Sequence, residues 1–145
     1  MKKLALIFAA LCLWLMPAAA LAAEADAKTF AAEDSTTTAW IDAMFVKNDA
    51  AHAYDLIGES AKKNITKEQV NTLHQTIEKE MGALEGARFV SWTRFDQADQ
   101  IIYLMRFKKQ PIVRCELLFT KDGNLENFGL TPIEQKKDAG KTDKK

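Results

Sequence analysis

Residues 66–108 read TKEQVNTLHQTIEKEMGALEGARFVSWTRFDQADQIIYLMRFK, and the spacing of their apolar side chains changes partway through. Up to residue 84 the apolar residues recur every three or four positions, which is the period of one face of an α-helix. From residue 87 they alternate with polar residues, which is the period of a β-strand. The stretch therefore predicts a long helix followed by a sheet, with the change near Gly86.

The start of the predicted helix carries strong local signals. Thr66 and Gln69 have the spacing of a capping box, and Glu68 lies in the first turn, where the helix dipole favours a carboxylate. Gly86 is expected to end the helix. The residues of the predicted buried stripe are Val70, Leu73, Ile77, Met81 and Leu84.

Four strands are predicted after this helix, at residues 87–96, 100–108, 112–121 and 125–130. Their short connections predict antiparallel neighbours. The odd-numbered residues of the second and third strands form the more apolar face and are expected to face the core. A two-residue turn at Gln97 and Ala98 would put Trp92 opposite Tyr103, whereas a three-residue turn would put Thr93 and Phe95 on the core side instead.

Two shorter helices are predicted upstream. The first begins near Ser35, and its apolar stripe comprises Thr37, Trp40, Ile41, Met44 and Phe45. Asp49 is placed to cap the second helix, which Gly58 closes. The inner positions of the second helix are Ala53, Tyr54, Leu56 and Ile57. With the sheet, these helices predict an α+β domain over residues 34–131.

The amino terminus has the pattern of a bacterial signal peptide at residues 1–22. Lys2 and Lys3 precede an uncharged apolar stretch, and small residues follow Pro17, so cleavage is expected after Ala22 or one residue later. An uncleaved membrane anchor is the alternative, because twenty residues can just cross ~30 Å of hydrocarbon. Cys12 lies too far inside the apolar stretch to be a lipid acceptor.

The segments that flank the domain are poor in large apolar residues. Residues 23–33 are interpreted as a flexible arm or the first turns of a helix, and the lysine-rich residues 132–145 as a disordered tail. Once the leader is removed, no stable membrane span is expected. The protein is accordingly expected in the periplasm or outside the cell.

Charge and cysteine content exclude several classes of function. Loss of Lys2 and Lys3 from the 20 basic residues leaves 18 against 20 acidic ones, a net charge near −2. Nothing in this charge favours nucleic acid binding, which needs a concentrated basic surface, so no nucleic acid partner is expected. Cys115 is the only cysteine beyond the leader, so it can form no intramolecular disulfide and is interpreted as a core residue. No phosphate loop, metal-ligand spacing or nucleophile elbow is present, so no cofactor, metal or catalytic residue is assigned.

The chain resembles small exported domains of the nuclear transport factor 2-like superfamily over residues 34–131. The resemblance is carried by WIDAMFVKND at residues 40–49, AYDLI at 53–57, the helix at 66–84 and LFTKDGNL at 118–125. It implies three helices packed on a curved four-stranded antiparallel sheet, forming a cone with a cavity at its wide end. Superfamily members include isomerases and dehydratases as well as binding modules, and no catalytic motif of the enzymatic members matches here.

Five residues are candidates for contact with a ligand in such a cavity. A histidine at the edge of the helix stripe could act as a general base, two tyrosines could offer hydroxyl groups, and two tryptophans could form apolar walls. The alternative is that the aromatic residues fill the core and that the histidine is half-exposed. The other histidine, His52, is expected on the surface. The five candidates are Trp40, Tyr54, His74, Trp92 and Tyr103.

The even-numbered sheet face mixes charged and apolar side chains, which is unusual for a fully solvated surface. It is a candidate interface with a protein partner or, as the resemblance implies, with a second copy of the chain. Cover by the amino-terminal arm or the tail is the alternative. The candidate interface residues are Ile102, Leu104, Arg106, Arg114, Glu116 and Leu118.

These observations predict an exported, non-enzymatic module that binds a small apolar ligand or a protein partner. The alternative is an isomerase- or dehydratase-like enzyme that uses His74 together with Tyr54 or Tyr103 inside the cavity.

Overall fold

The chain has an α+β fold in which helices precede a four-stranded antiparallel sheet. The computed structural model describes residues 18–134, so the expectations for residues 1–17 and 135–145 fall outside the described part. The helices are α1 (Ala18–Ile41), α2 (Ala50–Asp55) and α3 (Lys67–Met81), with a π-helical turn at Asp42–Val46 and a 3-10 turn at Ala61–Lys63. The strands are β1 (Leu84–Arg94), β2 (Ala98–Phe107), β3 (Val113–Thr120) and β4 (Leu125–Pro132).

Helix α1 begins earlier than the periodicity predicted. It covers residues 23–33, so that the first turns of a helix, rather than a flexible arm, occupy this segment. Alanine is the best helix former, and a 2.8 Å ion pair between Lys28 and Glu24 spans one helical turn. The chain divides into two compact units, the first ending at Ala32 and the second beginning at Glu33.

The apolar stripe predicted for the first helix is confirmed. Its five residues, which continue from α1 into the π-helical turn, are all buried. The stripe also extends one turn upstream, because Glu33 is fully buried four positions before Thr37. Asp49 caps α2 by accepting a hydrogen bond from the backbone nitrogen of His52, and His52 lies on the surface, both as predicted.

Helix α3 has the predicted capping box but ends sooner than predicted. The Thr66 hydroxyl accepts from the Gln69 backbone nitrogen, while the Gln69 side chain accepts from the Thr66 backbone nitrogen. The helix stops at Met81 because Gly82 takes a φ of 78°, which favours glycine. The predictions that Leu84 belongs to the helix and that Gly86 ends it were therefore wrong, since both residues lie in β1.

The sheet is a simple antiparallel meander of order β1-β2-β3-β4. The odd-numbered core face is confirmed, because every odd-numbered residue of β2 and β3 is buried. Cys115 lies on this face as an unpaired thiol, and burial raises its pKa to about 12. Within residues 18–134, no helix is both long and apolar enough to cross a membrane.

The register of β1 differs from both predicted alternatives. The Phe95 backbone nitrogen donates to the Ala98 carbonyl at 2.8 Å, so the two-residue turn lies one position earlier than expected. Trp92 packs against the core, but its partner in β2 is Ile101 rather than Tyr103. A register shift between Phe89 and Ser91 then brings Phe89 opposite Tyr103. The alternation of apolar and polar residues in the sequence does not reveal such a bulge.

The segment after α2 is tied to the last strand. Ile57 forms an isolated parallel bridge with Leu125, and the Gly58 backbone nitrogen donates to the Leu125 carbonyl at 2.8 Å. A Cβ atom on Gly58 would lie 2.9 Å from the Asn124 Cβ atom, which is closer than real contacts allow. Glycine at this position therefore permits the close approach of the two segments.

Candidate functional site

A cavity with a volume of about 250 Å³ lies beside His74. Its walls come from the π-helical turn, α3, the α3–β1 connection and the end of β2. Most of the lining side chains are apolar, and three are polar or charged. The lining residues are Phe45, Val46, Asn48, His74, Ile77, Glu78, Gly82, Ala83, Leu84 and Phe107.

The apolar part of this cavity is rigidly built. Phe45 and Phe107 pack edge to face with their ring centroids 5.5 Å apart, and both side chains are buried in the core. Ile77, from the buried stripe of α3, is 4% exposed. Such a surface can contact an apolar molecule without first repacking, because aromatic and β-branched side chains in a core keep fixed rotamers.

His74 is the polar group that α3 brings to the cavity. The residue is only 8% exposed, since it follows Val70 by one turn on the buried stripe. Its Nε2 atom lies 4.0 Å from the Glu78 carboxylate, whereas its Nδ1 atom is buried and finds no hydrogen-bond partner within residues 18–134. A ligand could therefore meet the ring through the Nε2 edge, with the Glu78 carboxylate beside it.

Asn48 forms another polar wall of the cavity. Its φ of 55° is in the left-handed region, which asparagine tolerates better than most residues. This conformation turns the chain between the π-helical turn and α2, where the Asp49 backbone nitrogen donates to the Ala43 carbonyl at 2.8 Å. The local sequence Asn48-Asp49 thus positions the amide at the cavity and the cap of the next helix together.

The other four predicted ligand contacts lie elsewhere. Trp40 is fully buried in the core, where its ring packs against Phe45 and Phe128. Tyr54 is half-buried, and the ammonium groups of Lys62 and Lys67 each lie 5.4 Å from its ring centroid. Neither residue lines the cavity beside His74.

Trp92 and Tyr103 donate hydrogen bonds to two carboxyl groups in the second half of α1. The Trp92 indole nitrogen donates to Glu33 at 2.8 Å, and the Tyr103 hydroxyl donates to Asp34 at 2.6 Å. Burial raises the pKa of Tyr103 well above its usual range, and the hydrogen bond to Asp34 raises it further. The structure therefore brings these two aromatic residues together with α1, and the cavity beside His74 contains neither Tyr54 nor Tyr103.

The three charged residues predicted for the even-numbered sheet face are held in ion pairs. Arg114 is 2.7 Å from Glu116, whose carboxylate also accepts from Gln100 at 2.7 Å, and Arg106 is 3.2 Å from Glu85. The predicted apolar members, which are Ile102, Leu104 and Leu118, are each partly exposed. Two shallow grooves of about 410 and 230 Å³ involve this side of the sheet.

Sequence reasoning missed two fully buried carboxyl groups, those of Glu33 and Asp99. At both positions the spacing of the apolar residues in the sequence indicates a core position. Asp99 is an odd-numbered residue of β2 and so belongs to the core face. Glu33 precedes Thr37 and Trp40 by four and seven positions, which is the spacing of the buried stripe of α1.

No protein-family model matches the chain, and no curated protein matches it either. Within the described part of the chain, no group of three or more His, Cys, Asp or Glu side chains is arranged to hold a metal ion.

Proposed function

We propose that the protein is a non-enzymatic binding module that holds a small, largely apolar ligand in the cavity beside His74. The observation that carries the proposal is the combination of a buried imidazole with an apolar wall formed by Phe45, Ile77 and Phe107. Mostly apolar walls with a few placed polar groups are typical of small-molecule sites.

The size of the cavity limits the ligand. Its volume of about 250 Å³ lies just below the range of roughly 300–1,000 Å³ that is usual for ligand pockets. A single aromatic ring or a short aliphatic chain fits this space. A polar group on that ligand would meet the Nε2 edge of His74 or the amide of Asn48.

The proposal has two further parts, which concern the location of the protein and the superfamily to which it belongs. The leader-like residues 1–22 support export to the periplasm or the cell exterior. The order of three helices and an antiparallel meander supports membership of the nuclear transport factor 2-like superfamily. In that superfamily the cavity would correspond to the interior of a cone formed by a curved sheet.

The even-numbered sheet face supports a second candidate function, contact with a protein partner or with a second copy of the chain. Its partly exposed apolar residues, Ile102, Leu104 and Leu118, lie among ion pairs that are already satisfied within the face. Because these charges already have partners within the face, covering the face would not leave an unpaired charge. The enzyme alternative is less well supported, because His74 has no tyrosine beside it in its cavity.

Nuclear magnetic resonance of the imidazole ring tests the ligand proposal directly. We expect small probes such as phenol, indole or butyrate to shift the His74 ring signals and to raise the melting temperature. Leu84→Trp should abolish both effects because the larger ring fills the cavity. Leu104→Trp is the matched control on the opposite sheet face and should leave both effects intact.

Two outcomes would refute ligand binding in this cavity. One is the absence of any probe-dependent change at His74. The other is a probe response that persists in the Leu84→Trp variant. A concentration-dependent change in sedimentation that Leu104→Trp abolishes would instead favour the sheet-face candidate.

A further inference from the structure

Glu33 on α1 and Asp99 on β2 are two carboxyl groups with no solvent exposure. Burying even one ionised carboxylate is costly, because the protein interior solvates charge poorly. Two such groups in contact cannot both be charged without strong repulsion. Their surroundings therefore have to decide which of them keeps its proton.

The hydrogen-bond donors around the two groups are unequally distributed. Asp99 Oδ1 accepts from Lys121 Nζ at 2.7 Å and from Arg94 Nε at 3.2 Å, so both cations act on this carboxylate. Within residues 18–134, Glu33 Oε2 accepts only from the neutral indole of Trp92, at 2.8 Å. The compensating positive charge thus belongs to Asp99.

The second oxygen of each carboxyl group accepts none of these hydrogen bonds. Glu33 Oε1 and Asp99 Oδ2 are both buried. When both carboxyl groups are ionised, neither of these oxygens has a hydrogen-bond donor among the described side chains. The two side chains lie within hydrogen-bonding reach of each other. A single proton between them would give both remaining oxygens a partner.

The direction of each pKa agrees with this arrangement. Burial raises the pKa of Glu33, and the nearby Asp99 carboxylate raises it further, while the Trp92 indole and Arg94 oppose the shift. Burial also disfavours the charge of Asp99, but the hydrogen bonds from Lys121 and Arg94 outweigh burial and hold its pKa below the usual value. Of the two groups, Glu33 is therefore the one that keeps a proton to the higher pH.

We propose that Glu33 and Asp99 share one proton, which Glu33 Oε1 donates to Asp99 Oδ2, and that this pair makes the attachment of α1 to the sheet pH-sensitive from residue 33 onward. The charged groups that face the pair are Arg94 on β1 and Lys121 at the end of β3. The proposal is independent of the ligand cavity, since none of these residues lines it.

The sign of the pH dependence follows from proton linkage. A raised pKa in the folded state means that Glu33 contributes its full stability below its unfolded value of 4.5 and loses it as the pH rises through the folded pKa. Asp99 behaves in the opposite way, because its contribution is lost as the pH falls below 3.8. Both contributions are complete between pH 3.8 and pH 4.5, so the attachment should be tightest in this range.

A titration of the wild-type protein tests the shared proton without any substitution in the pair. Carbon-13 signals of the side-chain carboxyl groups are followed from pH 2 to pH 9. We expect the Glu33 signal to titrate above pH 4.5 and the Asp99 signal to titrate below pH 3.8. A Glu33 signal that titrates at or below 4.5 would overturn the proposal.

A second experiment tests the effect on α1. In Glu33→Gln, an amide permanently replaces the protonated carboxyl, and it can donate to Asp99 while accepting from Trp92. Amide hydrogen exchange in residues 33–41, corrected for its intrinsic pH dependence, should then show less change between pH 5 and pH 8 than in the wild type. In the wild type the opening equilibrium should rise by up to about tenfold per pH unit until the folded pKa is passed.

The matched control is Asp34→Asn, which makes the same chemical change at the next position and keeps an oxygen for the Tyr103 hydroxyl. Its pH dependence should remain that of the wild type. Equal pH dependence in Glu33→Gln and the wild type would refute the proposal. If the Glu33→Gln variant does not fold, the wild-type titration alone decides the outcome.

Discussion

Trp92 and Glu33, 59 positions apart in the chain, are joined by a 2.8 Å hydrogen bond in which the indole Nε1 donates to the buried carboxyl. The bond connects the edge strand β1 to α1. Among the described residues it is the only hydrogen bond that the Glu33 carboxyl accepts from a neutral donor, so it should contribute measurably to folding.

Trp92→Phe keeps an aromatic ring but removes the donor. A buried acceptor left without its partner costs roughly 1–3 kcal/mol, so we expect the free energy of unfolding in urea to fall by about this amount. A double-mutant cycle with Glu33→Leu isolates the pair. A coupling energy near zero would show that the bond contributes nothing to stability.

Gly82→Ala should destabilise the protein because it places a Cβ atom on a residue with a φ of 78°. The new atom would also lie 3.3 Å from the Lys108 Cβ atom. We expect a loss of about 1 kcal/mol or more in the free energy of unfolding. Gly86→Ala is the matched control, since nothing lies within 4 Å of its added Cβ atom, and its effect should be neutral or slightly stabilising.

Cys115 should be unreactive in the folded protein. Burial raises its pKa to about 12, so the thiol stays protonated at pH 8, and the thiolate is the species that reacts. Iodoacetamide should therefore modify Cys115 rapidly in 8 M urea and slowly in buffer, as measured by mass spectrometry. Fast modification under native conditions would contradict the core position of this residue.

Tyr103 should remain a phenol at high pH. Its raised pKa means that its contribution to stability is present below the unfolded value of 10 and is lost only as the pH rises through the higher folded value. The phenolate absorbance at 295 nm of the folded protein at pH 11 should thus be the same in the wild type and in Tyr103→Phe. A smaller signal in the variant would mean that Tyr103 ionises normally.

Elements governed by local interactions were predictable from the sequence. The capping box of α3, the Asp49 cap of α2 and the alternating core face of β2 and β3 each depend on residues a few positions apart. The end of α3 was mispredicted because two glycines, Gly82 and Gly86, are both suitable stop signals. Only the backbone conformation shows that the first one takes the left-handed turn.

Features that depend on distant residues were harder to predict. The register of β1 results from a shifted turn and a bulge near Val90, neither of which has a sequence signature here. The sequence pattern placed His74 at the edge of the α3 stripe, but the residues that line the cavity with it come from three other parts of the chain. The buried carboxyl pair was missed because charged residues at core positions are normally excluded from a core pattern.

The parallel bridge between Ile57 and Leu125 has a consequence for synthesis of the chain. Residues 57 and 58 acquire their hydrogen-bonding neighbour only after the whole meander up to β4 has been made. In a nascent polypeptide that lacks its final strand, this junction would not form, and the apolar side chains at the junction would be exposed to solvent. The junction after α2 should therefore reach its native packing late, together with the last strand.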